Sequence, residues 1–179
     1  MTRRRWFFLA VCAQALVLLA MVGVYQYTLA TGTRVRVATE PIDPWDPFRG
    51  EYVQLRYRIN TLDLAALGVS ERKFVRGQTV WVVLTPGEPY WQPVTVATAR
   101  PRPSAGQVAV RARVEWFEDW TGVPRLHLRY GTESFFVPEG EAQAFQGPDV
   151  LLEVEWAVDR FGRAAVARLF RNGREVRVE

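Results

Sequence analysis

The sequence of 179 residues is poor in the residue types that build covalent or metal-held sites, with one Cys, one His, one Lys and three Ser. A lone Cys12 excludes a disulfide within the chain. Cys12 with His127 falls short of the roughly three to four ligands of a Cys/His zinc site. Acidic residues are missing altogether ahead of Ala30, so Arg3, Arg4 and Arg5 stand there uncompensated. Those three arginines supply most of the formal net charge of +4; beyond them twenty basic residues face nineteen acidic ones. Arg and Glu/Asp alternate along every later segment, which argues against nucleic acid as a partner, since a nucleic-acid surface needs clustered cations.

What is abundant is apolar and aromatic, 49% and 13% of the chain, with seven Trp and ten Phe. That is ample for one core and excludes disorder as the dominant state. Residues 6 to 27, WFFLAVCAQALVLLAMVGVYQY, carry no charge. At about 1.5 Å per residue such a helix crosses a hydrocarbon layer of about 30 Å. Trp6 at one end and Tyr25 and Tyr27 at the other stand where interfacial aromatics belong, and the TRRR ahead places the N-terminus in the cytoplasm. Residues 1–5 are therefore read as a cytoplasmic basic tail, 6–27 as a single transmembrane helix acting as a signal anchor, and 28–179 as one extracytoplasmic domain held at the cytoplasmic membrane. The rival is a signal peptide cleaved after Ala30, but the apolar run exceeds the usual h-region of about 7 to 15 residues. Cys12 lies mid-helix after Val11, which suits neither lipidation nor reactivity.

Beyond Thr31 the dominant period is two. Strands are predicted over 34–39, 52–59, 78–84, 91–98, 107–117, 125–130, 134–137, 150–158, 164–170 and 175–178. Over 52–59, Val53, Leu55, Tyr57 and Ile59 share one face and Tyr52, Gln54, Arg56 and Arg58 the other. Pro86-Gly87, Thr121-Gly122, Phe161-Gly162 and Asn172-Gly173 supply turns between strands. Two short helices are expected, Leu62 to Leu67 capped by Asn60 or Thr61 and stopped at Gly68, and Glu139 to Phe145. The fold class that follows is mainly β: one transmembrane helix, then an antiparallel β-sandwich or barrel-like domain with two short helices.

The most distinctive stretch runs from Pro41 to Tyr57. Its Gly50-Glu51-Tyr52, Leu55 and Tyr57 resemble the signature of the GDYXXLXY family of bacterial membrane-anchored proteins. Tyr130-Gly131 and the following Phe135-Phe136-Val137-Pro138-Glu139-Gly140 are similar to a second block of that family. Glu51 stands where the family name has Asp, which keeps the charge and lengthens its reach. The family has no assigned activity; the resemblance implies placement at a membrane beside, or fused to, polytopic membrane proteins.

From the residues themselves, the motif is a turn feeding a strand. Its prolines keep the approach extended, Gly50 permits a positive φ, and Leu55 and Tyr57 face the core. A binding or interface role falls to Asp43, Asp46, Arg49, Gly50, Glu51 and Tyr52 in the same loop, beside Leu55 and Tyr57. Calcium at Asp43, Asp46 and Glu51 lacks the roughly six to eight oxygens it needs, so no metal and no cofactor is expected. His127 alternates with Leu126 and Leu128 as an ordinary strand histidine. Glu115, Glu118 and Asp119 flank Trp116 and Trp120, a pattern shared with sugar sites but better read as a strand end and a solvated turn.

No nucleophile and base are placed together, so the chain is read as not an enzyme. The expected function is that of a non-enzymatic accessory or binding subunit of a polytopic membrane protein, with any small-molecule ligand unknown. The alternatives are a membrane-anchored hydrolase with a Ser/Lys dyad, Ser104 or Ser134 with Lys73, and a cleaved periplasmic ligand-binding module.

Overall fold

The computed structural model describes residues 3–40, 52–70, 73–119, 122–136 and 150–176. It opens with α1, Arg3–Thr31, a helix of 29 residues that is long and apolar enough to cross a membrane. Its apolar side chains are exposed on all sides, and Thr28 is its one buried residue among those described. An all-round apolar helix suits a lipid environment better than water.

Twelve strands follow among the described residues: β1 Thr33–Glu40, β2 Tyr52–Gln54, β3 Arg56–Tyr57, β4 Thr61–Asp63, β5 Thr79–Thr85, β6 Gln92–Ala97, β7 Val108–Glu118, β8 Arg125–Arg129, β9 Ser134–Phe136, β10 Leu152–Val158, β11 Ala164–Arg171 and β12 Arg174–Val176. All pair antiparallel, in one five-stranded sheet ordered β12-β11-β10-β1-β3, a second ordered β4-β8-β7-β5-β6, and a two-stranded ribbon of β2 and β9. Val35, Val37, Val154, Trp156 and Leu169 of the first sheet and Val80, Val82, Val110, Val114 and Leu128 of the second share one hydrophobic core. The two sheets thus form a β-sandwich, and the period-two faces read from the sequence supply its lining.

Two expectations change. The stretch Leu62 to Leu67 is not a helix. Thr61–Asp63 is a strand that pairs with β8, and a turn runs from Leu64 to Gly68. Leu62 and Leu64 are both buried, a strand's parity, and six residues are too few for a helix to gain by propagation. Asn60, expected as its cap, instead donates to the Leu128 carbonyl at 2.7 Å and accepts from the Tyr57 amide. Asp63 takes over as the local acceptor, for the amides of Ala65 and Ala66. The only other helical piece among the described residues is a single 3-10 turn, Arg58–Asn60. The second expected helix, Glu139 to Phe145, lies outside the described residues.

The strand expected over 52–59 is divided. β2 pairs with β9, β3 pairs with β1, and the Leu55 amide between them donates to the Glu133 carbonyl at 2.7 Å. The inward parity survives the break, since Leu55, Tyr57 and Ile59 are all buried.

Candidate binding cleft beside the motif strand

The motif strand has two faces with different uses. On the inner one, Tyr57 sits edge-on to Trp156 at 4.7 Å between ring centres and donates its hydroxyl proton to the Thr132 carbonyl at 2.6 Å. Tyr130 packs on the same indole at 5.1 Å and donates to the Ile59 carbonyl at 2.8 Å. Glu133 accepts from the amides of Tyr130 and Gly131, so the two sequence blocks singled out above are tied into one network. Burial raises the pKa of both phenols far beyond the ordinary tyrosine range, more than the hydrogen bond to Thr132 lowers that of Tyr57. Two signature residues, Leu55 and Tyr57, therefore hold the fold together.

The outer face of the same strand opens on a cleft of about 240 Å³. Gln54 and Arg56 line one side, and Glu115, Trp116, His127 and Arg129 the other. A bulge builds that second wall. Val114 pairs with Leu128 but Trp116 pairs with His127, so Glu115 is the extra residue on β7. Without it Trp116 would follow Val110, Ala112 and Val114 into the core. With it, the indole is turned outward, 49% exposed, and stacks on the His127 ring at 4.3 Å and 21°.

His127 is held on every side. Its Nδ1 lies 3.1 Å from the Thr61 hydroxyl, and its Nε2 lies 3.3 Å from Glu118 Oε2. Arg129 and Glu115 pair at 2.9 Å across the rim. Chemically this is a platform: one open indole face between a paired cation and anion, with the amide of Gln54 and the guanidinium of Arg56, itself 3.7 Å from Glu40, opposite. It suits recognition of a polar partner segment through stacking and hydrogen bonds.

Of the other expected site residues, Asp43, Asp46, Arg49, Gly50 and Glu51 lie outside the described residues, and Tyr52 is described by its backbone alone, in β2 opposite Phe136. Among the described residues no three His, Cys, Asp or Glu side chains group together. Ser104 lies in a turn tied to Gln107, Ser134 begins β9 opposite Gln54, and Lys73 precedes β5, so the residues drawn as a dyad sit on separate elements. The cleft is not legible in a strand expected simply over 107–117, because it depends on the bulge within β7. The adjacent apolar pair Trp116-Phe117 was the signal of a bulge.

No curated protein and no solved structure matches this chain significantly. The sequence pattern of the family described as GDYXXLXY protein matches residues 14–169, from within the helix to within β11. With the motif strand, the Tyr130 block and the second half of the helix inside a match that covers most of the chain, the chain belongs to the GDYXXLXY family.

Proposed function

We propose that this protein is a membrane-anchored, non-enzymatic accessory subunit that binds a polytopic membrane protein through the cleft beside the motif strand. The observation that carries the reading is the junction between helix and domain. The Thr28 hydroxyl, 2% exposed within the residue as a whole, donates to Asp159 Oδ2 at 2.9 Å, in a domain otherwise held 131 residues away in sequence. Cleavage after Ala30 would take from that buried carboxylate the donor to its Oδ2, which favours a retained anchor over a released periplasmic module.

Arg3, Arg4 and Arg5 favour a cytoplasmic N-terminus and an extracytoplasmic domain. Arg34 and Arg36 follow the helix, but one donates to the Leu29 carbonyl and the other lies over the Phe170 ring. With the domain held at the membrane surface, Gln54, Arg56 and Trp116 present a polar and aromatic face to a neighbour in the same bilayer.

The test is photocrosslinking in native membranes from Arg56, with Arg168, three strands away in the same sheet, as a control position. Capture of one polytopic membrane protein from Arg56 alone, lost in Trp116→Ala, supports the reading. No adduct from Arg56 overturns it. So does labelling by a fluorophosphonate that disappears in Ser104→Ala or Ser134→Ala, which would make the protein a hydrolase.

A further inference from the structure

One turn joins the helix to both sheets. Asp159, 3% exposed, follows β10 and accepts from the Thr28 hydroxyl on Oδ2 and from the amides of Phe161 and Arg163 on Oδ1, at 2.8 and 3.0 Å. The Gly162 carbonyl accepts from the Arg111 amide of β7 at 2.8 Å. Gly32 brings the helix end so close to β10 that a Cβ there would meet the Val158 nitrogen at 2.8 Å. The turn from Asp159 to Arg163 is thereby held at the level of Thr28, one residue beyond the interfacial Tyr27.

The surface around that turn is cationic and aromatic. The guanidinium groups of Arg160 and Arg163 lie 4.8 and 5.6 Å from the Phe161 ring centre, and Phe161 is 40% exposed. Arg100 bonds to the Arg160 carbonyl and lies 5.6 Å from the Trp81 ring centre. Arg56, Arg129 and Arg168 elsewhere are paired with glutamates. Among the described residues, no ion pair with a carboxylate engages Arg34, Arg100, Arg160 or Arg163.

We infer that this turn is a docking surface for anionic phospholipid headgroups, with Phe161 entering the interface and Arg100, Arg160 and Arg163 meeting the phosphates. Guanidinium groups match phosphate oxygens in a fork geometry, and a phenyl ring flanked by cations suits the boundary between acyl chain and headgroup. The inference rests on the reading of Arg3–Thr31 as a retained membrane span. Arg100 is 60 residues from Arg160 in sequence, and the two meet only after folding. They therefore do not enter the charge balance that orients the helix during insertion.

The experiment uses the full chain in lipid nanodiscs, with a bimane probe on Phe161→Cys in a Cys12→Ala background. In discs containing phosphatidylglycerol the probe is expected to be protected from aqueous acrylamide and quenched by a shallow lipid nitroxide. That protection should be lost in phosphatidylcholine alone, and lost on Arg100→Gln, Arg160→Gln and Arg163→Gln together. Removing three charges elsewhere, at Arg113, Arg129 and Arg174, should leave it intact. A probe open to acrylamide in both lipids, in a chain that has entered the discs, overturns the docking surface and leaves the anchor standing. Equal protection in phosphatidylcholine discs with inorganic phosphate would make it a free-anion site and also overturn the proposal. A chain that never enters the discs overturns the anchor, and the docking surface with it.

Discussion

Tyr57 and Tyr130 close on Trp156, and each donates one buried hydroxyl to a main-chain carbonyl. Removing one such hydroxyl in Tyr57→Phe leaves the Thr132 carbonyl without its donor, a loss of about 1 to 3 kcal/mol that urea unfolding of the full chain in detergent measures. The same residues set an alkaline limit. Both pKa values are raised in the folded state, so both phenols keep their protons there while the unfolded chain begins to lose them near the ordinary tyrosine value of about 10. Below that pH their contribution to stability is fully present. Above it, stability falls with rising pH by about 1.4 kcal/mol per unit for each phenol. Tyr57→Phe should roughly halve this tyrosine-linked slope between pH 10 and 11; an unchanged slope would show that Tyr57 is not protected. Leu55, Tyr57 and Ile59 were legible as inward residues because alternation is local. Their partners Thr132 and Trp156 were not, because nothing in the motif points to residues 75 or more positions away.

At the scale of elements, turns and bulges decide more than strands do. Gly162 has φ +76° and faces Trp81 so closely that a Cβ would lie 2.4 Å from Cζ3 and 2.9 Å from the Ala109 carbonyl. Gly106 has φ +81° with open space around it. Alanine at either position bears the left-handed backbone penalty of about 1 to 2 kcal/mol, but at 162 it must also displace an indole. Gly162→Ala should therefore lower stability by roughly 1 to 3 kcal/mol more than Gly106→Ala, measured as a shift of denaturation midpoint. Equal losses would mean that the turn does not pack on Trp81 as tightly as its geometry indicates. Phe161-Gly162 was readable as a turn between two strands from composition alone. Its contacts with the helix, β5 and β7 were not, and the bulge at Glu115 that turns Trp116 outward left only the adjacent pair Trp116-Phe117 as a sign. The helix expected over Leu62 to Leu67 failed for a related reason: over so short a run Leu64 and Leu67 have a helical spacing while Leu62 and Leu64 have a strand's, and pairing with β8 decided for the strand.

At the scale of the whole molecule, an apolar helix exposed along most of its length is joined to a sandwich through the buried hydrogen bond of Thr28 to Asp159 and the close packing of the helix end on β10. If the anchor is retained, the protein stays in the pellet after alkaline carbonate extraction of membranes. Its intact mass then includes the residues ahead of Ala30; a soluble species beginning at Thr31 would contradict both. The sequence by itself determined the apolar span, the β class and the inward side of most strands, because each follows from composition or from a period of two along neighbouring residues. Only the tertiary structure decided the pairing order, the outward turn of Trp116 onto His127, the use of Asn60 away from a helix cap, and the meeting of Thr28 with Asp159. Those depend on groups distant in the chain competing for the same hydrogen bonds and the same space, and that competition is resolved only when both sheets close over one core.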